Sequence, residues 1–412
     1  MPPRRVTVSA VILLGTLLLP ACVAGQDGSD GAAAGGAGGC DTSRGTLAIG
    51  LIAPLLGDLS VLAMGMRNSA DLAVDQANAA CAVPGYELRL QAEDDRGLPE
   101  EAAEAASRLV ADPDVVGVVG TLNSSTAQVV QPILAEGELA TVSPANTNPS
   151  LTRGERYTTD PVRAFDNYFR VAPTDDLQGP FGAQYLVQTA GLSEIAVVDD
   201  GKTYGVGLAD AFVAAAEDLG ATIVAREQVD DQDTDFSGLV TDLAGVGPQA
   251  VYYGGEYPVA GRLSSQLAGA GLDVPVMGGD ALINAEYVPL GGRTGDLGTS
   301  FGAPVDQLPS AERFVRDYRA ANYVEDFETY GPLTYDATTV IIRALAAALD
   351  GGERSAEIRA RVVEAVQSTE FEGVSGPVSF DEYGDTRHKT LTVYRVEGAQ
   401  FVPVRTGEYP TG

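Results

Sequence analysis

The sequence predicts an α/β protein of two lobes, each an open, mostly parallel sheet flanked by helices. Short apolar runs alternate with longer helix-period runs from Thr46 onward, and a second series of the same kind follows the first. Gly and Ala are abundant, Trp is absent and aromatic residues make up only 7%, a composition suited to helices packed closely on sheets. With 412 residues, 45% hydrophobic and 20% charged, the chain can fill the cores of two or three such lobes.

In the first series, residues 46–54 (TLAIGLIAP) form a buried strand, and 64–80 a helix with Ala70, Leu72, Ala73 and Ala77 on its apolar side. Residues 86–93 alternate apolar and polar, the period of a strand with one wet face. A helix over 99–111 opens with Pro99 and then Glu100 and Glu101, both types favourable at a helix N-terminus. Residues 115–120 are the next strand, 125–136 a helix and 139–143 a strand. The second series has strands over 195–199, 222–229, 250–254 and 274–277, with helices over 205–219, 236–244 and 257–270 between them. Helices over 310–321, 335–350 and 355–368 come next. Short strands over 378–381 and 390–396, with a turn at Glu382-Tyr383-Gly384-Asp385, predict a terminal hairpin that completes one lobe.

The start of the chain reads as an export segment. Arg4 and Arg5 precede an apolar run over 6–19, too short to span a bilayer comfortably. Leu19-Pro20-Ala21-Cys22 resembles the bacterial lipobox, which implies removal of 1–21 as a lipoprotein signal peptide and a lipid on the Cys22 thiol. An ordinary signal peptide cleaved beside a Cys is the alternative. The Gly- and Ala-rich stretch that follows makes 22–45 a flexible tether, and no later run is long and apolar enough to cross a membrane. With Cys22 set apart, Cys40 and Cys81 are an even pair in an oxidising compartment, and a disulfide between them is expected. Two buried free thiols are the alternative.

The net charge of −31, from 26 Lys plus Arg against 57 Asp plus Glu, repels phosphate backbones and excludes nucleic acid as a partner. Catalytic and metal motifs are missing as well. His388, the single histidine, lies beside Arg387 and Lys389 and is expected to be exposed and structural. No G-x-S-x-G occurs, and the Cys residues cannot supply a four-ligand zinc site. Gly201-Lys202-Thr203 imitates the end of a phosphate loop, but Ala196 stands where its first Gly belongs. Asp231, Asp233 and Asp235 imitate a calcium loop, but Phe236 and Asp242 replace the required Gly and Glu. No catalytic residue, cofactor or metal is expected.

Two polar loops suggest a ligand site. Gly120-Thr121-Leu122-Asn123-Ser124-Ser125-Thr126 leaves a buried strand and enters a helix, where free N–H groups, the positive dipole end and hydroxyls suit a carboxylate. A Ser that merely caps the helix is the competing explanation. Ser143-Pro144-Ala145-Asn146-Thr147-Asn148-Pro149 leaves the next strand, and neighbouring parallel strands bring their C-terminal loops to one crevice.

With these loops in place, the chain resembles the type I periplasmic-binding-protein family, in its leucine/isoleucine/valine-binding branch. The matching stretches include LIAPLLGDLSVLAMGMRNSADLAVDQANA, GTLNSSTAQVVQPILAEGELATVSPANTNPSLT, DDGKTYGVGLADAF, AVYYGGEYP, VPVMGGDALINAEY and GPVSFDEYGD, in family order across 46–396. The resemblance implies two Rossmann-like lobes joined by a three-strand hinge, one of 46–168 with 304–373 and the other of 169–303 with 374–412. It implies an extracytoplasmic solute-binding protein that is not an enzyme, a monomer held to the membrane by lipid, which captures a branched-chain or other small amino acid, or a related amide, for an ABC permease. A sensor working through a separate partner is the alternative.

Carried over by residue, Ser124 and Thr147 would bind the ligand carboxylate, with Asn123 and Ser125 beside them. The Asn146 carbonyl and Asp280 would hold its ammonium group, and Tyr204 and Glu256 would face them from the second lobe. Leu62 falls near a position that often carries an aromatic. The branch commonly has Glu at Asp280 and Tyr at Glu256, and these departures open the pocket to a smaller, more polar or cationic ligand.

Overall fold

The computed structural model describes residues 40–409; the signal peptide, Cys22 and all of the tether before Cys40 lie outside them. Strands β1 (Thr46–Ala53), β2 (Glu87–Asp94), β3 (Val115–Gly120), β4 (Ala140–Ser143) and β5 (Tyr168–Arg170) form a first sheet in the order β2-β1-β3-β4-β5. Every pairing in it is parallel. Helices α1 (Ser60–Ala79), α2 (Pro99–Ala111), α3 (Ser124–Glu136) and the short α4 (Ser150–Arg153) connect these strands. The β3 run VVGVVG is buried along its whole length, as a parallel strand covered on both faces must be.

The second sheet begins after α5 (Asp175–Gln184), which runs into a wider π turn at Tyr185–Thr189. It takes β6 (Glu194–Asp199), β7 (Thr222–Gln228), β8 (Ala250–Gly254), β9 (Val276–Gly278) and β10 (Leu297–Phe301), with α6 (Thr203–Asp218), α7 (Ser237–Val246) and α8 (Tyr257–Gly269) between them. The chain then supplies α9 (Glu312–Ala321), α10 (Gly331–Leu349), α11 (Ile358–Gln367), and the paired two-residue strands β11 (Phe371–Glu372) and β12 (Pro377–Val378). Strands β13 (Thr390–Glu397) and β14 (Gln400–Glu408) complete the second sheet, in the order β14-β13-β10-β9-β8-β6-β7. Its β7-to-β10 part is parallel, and β13 and β14 join antiparallel.

Helix α10 returns to cover the first sheet: a Cβ at Gly117 in β3 would lie 2.8 Å from Ile341. The chain therefore passes between the sheets in the stretches after β5, after β10 and before β13. A buried ion pair ties the first passage to the last, Arg170 Nε lying 2.6 Å from Asp385 Oδ1. Burial opposes ionisation of Asp385, and Arg170 and Arg153 outweigh it, holding this carboxyl below its ordinary range.

Cys40 and Cys81 are joined as a disulfide with Cα atoms 5.4 Å apart, linking the approach to β1 with the end of α1. Among the described residues no helix is long and apolar enough to cross a membrane.

Several expectations need correction. The terminal hairpin is β13–β14, whereas residues near Val378 pair with β11. Pro403 obscures β14 in the sequence, and β14 tolerates it because it is an edge strand. Strands β5 and β10 and helix α5 escape the pattern because β5 is only three residues long and β10 (LGTSF) mixes Gly with hydroxyl residues. His388 is half-buried, with Nε2 only 2.9 Å from where a Cβ on Gly376 would stand.

Candidate functional site

The C-terminal ends of β3 and β4 bring the two polar loops together. Gly120 turns out of β3 at φ +134, where a Cβ would lie 2.3 Å from the Ile52 carbonyl, so only Gly lets the loop leave this close to β1. The Asn146 side chain then stitches the loops: Nδ2 donates to the Leu122 carbonyl at 2.9 Å, and Oδ1 accepts from Tyr168 at 2.9 Å. Ser143 Oγ accepts the Asn146 N–H at 2.9 Å.

Neither Asn123 nor Ser124 caps α3 with its side chain, so the cap explanation fails for both. Ser124 Oγ and Thr147 Oγ1 are buried and find no hydrogen-bond partner among the described residues. Stranding a buried hydroxyl costs about 1–3 kcal/mol, and the Ser124 hydroxyl together with the N-terminus of α3 forms an anion-seeking wall.

The second wall comes from the β8, β9 and α6 ends. A Cβ on Gly254 would sit 2.1 Å from the Gly205 carbonyl, so the missing side chain lets α6 begin hard against the end of β8. Tyr204 in α6 and Glu256 just after β8 thereby reach one space with Asp280, which follows β9. Asp280 Oδ1 accepts from Tyr204 at 2.9 Å and Gln178 Nε2 at 2.9 Å, and Oδ2 from Tyr330 at 2.6 Å. Burial pushes the Asp280 carboxyl above its ordinary range, and these donors pull it back in part. Tyr330 precedes α10, so its bond to Asp280 crosses the cleft.

Further contacts cross beside it. Asn123 Nδ2 donates to Glu256 Oε1 at 2.5 Å, Asn148 Nδ2 to the Thr203 carbonyl at 2.8 Å, and Tyr257 OH to the Asp58 carbonyl at 2.5 Å. Glu256 Oε2 pairs with Lys202 Nζ at 3.0 Å, and Asp231 holds the same ammonium at 2.5 Å. Burial disfavours the charged Lys202, and Glu256 and Asp231 more than reverse that, raising its pKa.

The walls enclose a small cavity of about 10 Å³, lined by Leu122, Asn123, Ser124 and Ala145 on one side. Tyr204, Glu256, Asp280, Ala281 and Tyr330 line the rest. Of the residues expected here, Asn123, Ser124, Tyr204, Glu256 and Asp280 are brought together. Thr147 and Asn146 are buried in the adjoining loop, and the Asn146 carbonyl already accepts from Arg170 Nη1 at 3.2 Å, which makes it a poorer acceptor for a second cation. Leu62 is fully buried in the core and Ser125 is only half-buried, and neither lines the cavity.

Sequence reasoning missed Tyr330, Gln178, Asp175 and Lys202 as parts of the site. Asp175 is fully buried at the start of α5, its N–H on the Thr147 carbonyl at 3.0 Å. Burial and then the Asp280 charge push its carboxyl well up; the Thr147 hydroxyl offsets part of this while falling short of hydrogen-bond geometry. Asp175 and Gln178 belong to the unrecognised α5, and the only available signal was the acidic pair Asp175-Asp176 at its start. Among the described residues no cluster of His, Cys, Asp and Glu could hold a metal ion.

A family model described as periplasmic binding protein matches residues 46–400. A Leu/Ile/Val-binding protein homolog of Brucella melitensis is 32% identical, the alignment covering 86% of this chain and 93% of that one. A leucine-, isoleucine-, valine-, threonine- and alanine-binding protein of Pseudomonas aeruginosa is 30% identical over 85% of this chain and 89% of its own. Among solved structures, the leucine-binding protein LivK of Thermotoga maritima superposes with a TM-score of 0.77 at 26% identity, covering 87% of this chain and 98% of that one. The branched-chain amino acid transporter substrate-binding protein LivJ of Streptococcus pneumoniae, in complex with isoleucine, gives 0.75 at 26%, covering 87% and 100%.

Proposed function

Since the chain belongs to the periplasmic binding protein family, we propose that it captures an amino acid outside the cytoplasm and delivers it to the permease of an ABC importer. One observation carries this reading: the Ser124 hydroxyl, at the N-terminus of α3 and without a partner among the described residues, shares a single cavity with the buried Asp280 carboxylate. That pairing of an anion-seeking wall with an acid complements a zwitterion. Ser124, Thr147 and the first N–H groups of α3 receive the carboxylate, and Asp280 receives the ammonium. The amino acids in the relatives' names support a small amino acid as ligand.

The cavity has room for about one water molecule, so an amino acid enters only when the walls part. The three passages between the sheets serve as the hinge, dividing the body into lobes of 46–168 with 304–373 and of 169–303 with 374–412. The amino acid docks on the Ser124 wall, and the bonds from Tyr330, Asn123 and Asn148 re-form as the second wall closes. Lipid on Cys22 holds the protein, a monomer without turnover of its own, at the outer face of the membrane.

A thermal-shift screen of the purified protein against the common amino acids and small amides tests this reading. At least one amino acid raises the melting temperature in proportion to the logarithm of its concentration. A flat response to all of them contradicts it.

A further inference from the structure

The part of the cavity lining that Glu256 and Asn123 supply is polar in a way that an ammonium and a carboxylate do not use up. Glu256, 7% exposed, lines it and meets Asn123, 5% exposed, across the cleft at 2.5 Å. A carboxylate offers about four acceptor positions. Two at Glu256 are taken, by Asn123 Nδ2 and Lys202 Nζ. Asn123 Oδ1 is buried and finds no partner among the described residues. Acceptors are therefore in surplus on this part of the lining.

The charge has the same sign. Lys202 faces Glu256 and Asp231, and Asp200 stands behind them with Oδ2 buried and without a partner among the described residues. Burial, then the Glu256 charge, hold the Asp200 carboxyl up to about 7. The donors that face Asp280, Tyr204 and Tyr330, are engaged with that acid and are not free to serve Glu256. An apolar side chain closed against this part would dehydrate acceptors and give them nothing in return.

Resting on the amino-acid reading above, we propose that the side chain of the captured amino acid ends in an N–H donor, an amide, guanidinium or ammonium group, held by Glu256 and Asn123. Leucine is then a weak ligand, because a site built to hydrogen-bond a group discriminates strongly against the analogue that lacks it.

Calorimetry of the purified protein with glutamine, arginine, lysine and leucine tests this, alongside the variants Glu256→Gln and Glu256→Leu. The expected result is that at least one of the nitrogen-bearing amino acids binds about a hundredfold or more tighter than leucine. Glu256→Gln, which keeps the shape of the wall, weakens arginine and lysine more than glutamine. Glu256→Leu narrows the preference over leucine at least tenfold, with melting temperature checked for both variants. Leucine binding as tightly as the best of the others overturns the proposal while the amino-acid reading stands. So does a preference unchanged in both Glu256 variants. Failure of all of these and of every other common amino acid to bind removes both.

Discussion

On the first-sheet side, Ser124 and Thr147 keep buried hydroxyls without partners among the described residues, whereas on the second-sheet wall Asp280 is held by three donors and Glu256 by two. The two walls thus bear the cost of a polar site differently. A neutral hydroxyl is inexpensive enough to leave waiting for a ligand; a buried carboxylate is not, and it recruits Tyr, Gln and Lys to survive desolvation. In the proposed reading the first wall is a preformed receptor, and the second closes on it through bonds that the acids already make.

The largest expected effect breaks the second wall. Asp280→Ala leaves the ligand ammonium without its acid and weakens binding by about 2–5 kcal/mol, measured by calorimetry. Unchanged affinity would remove Asp280 from the account. On the first wall, Ser124→Ala or Thr147→Val removes a bond to a charged group and lowers affinity by about 1.5–3 kcal/mol. Ser124→Ala leaves the melting temperature of the unliganded protein equal or higher, because a stranded hydroxyl is gone, whereas Thr147→Val also removes a hydroxyl that offsets the burial of Asp175; Asp280→Ala has no such benefit. Loss of stability in Ser124→Ala would erase the contrast between the walls.

Tyr330→Phe deletes a single cross-cleft bond to Asp280 and costs about 0.5–1.5 kcal/mol of affinity, expressed mainly in faster dissociation by stopped flow. The last effect is on stability and not on affinity, and it follows pH. Asp200, raised to about 7 from an ordinary 3.8, binds its proton more tightly folded than unfolded. Its contribution to stability is complete below pH 3.8 and is lost as pH rises through about 7. Melting temperature followed from pH 5 to 8 should therefore fall less in Asp200→Asn than in the unaltered protein. Parallel curves would show that Asp200 does not titrate in this window.

The legibility of the molecule divides along the same line. The first wall could be read because its loops join contiguous hydroxyl residues to a strand and a helix, so β3, α3 and β4 and their loops stand out in order. The second wall is assembled from residues far apart in the chain, at 178, 202, 204, 256 and 280, and Tyr330 reaches it from across the cleft. Resemblance supplied Tyr204, Glu256 and Asp280. Gln178 and Tyr330 have no local pattern, since one lies in a helix that carries Pro180 and the other stands just before α10, ahead of the start at 335 that the periodicity predicts. Leu62 illustrates the reverse: the resemblance puts it near a site position, but its side chain is absorbed into the core.

The most direct test takes the tightest-binding common amino acid and compares it, by calorimetry, with its deaminated acid and with its carboxamide. The account predicts that each analogue binds at least about thirtyfold more weakly, and that Asp280→Ala removes the penalty for losing the amine while keeping the penalty for losing the carboxylate. A deaminated acid that binds the unaltered protein as tightly as its parent would contradict it.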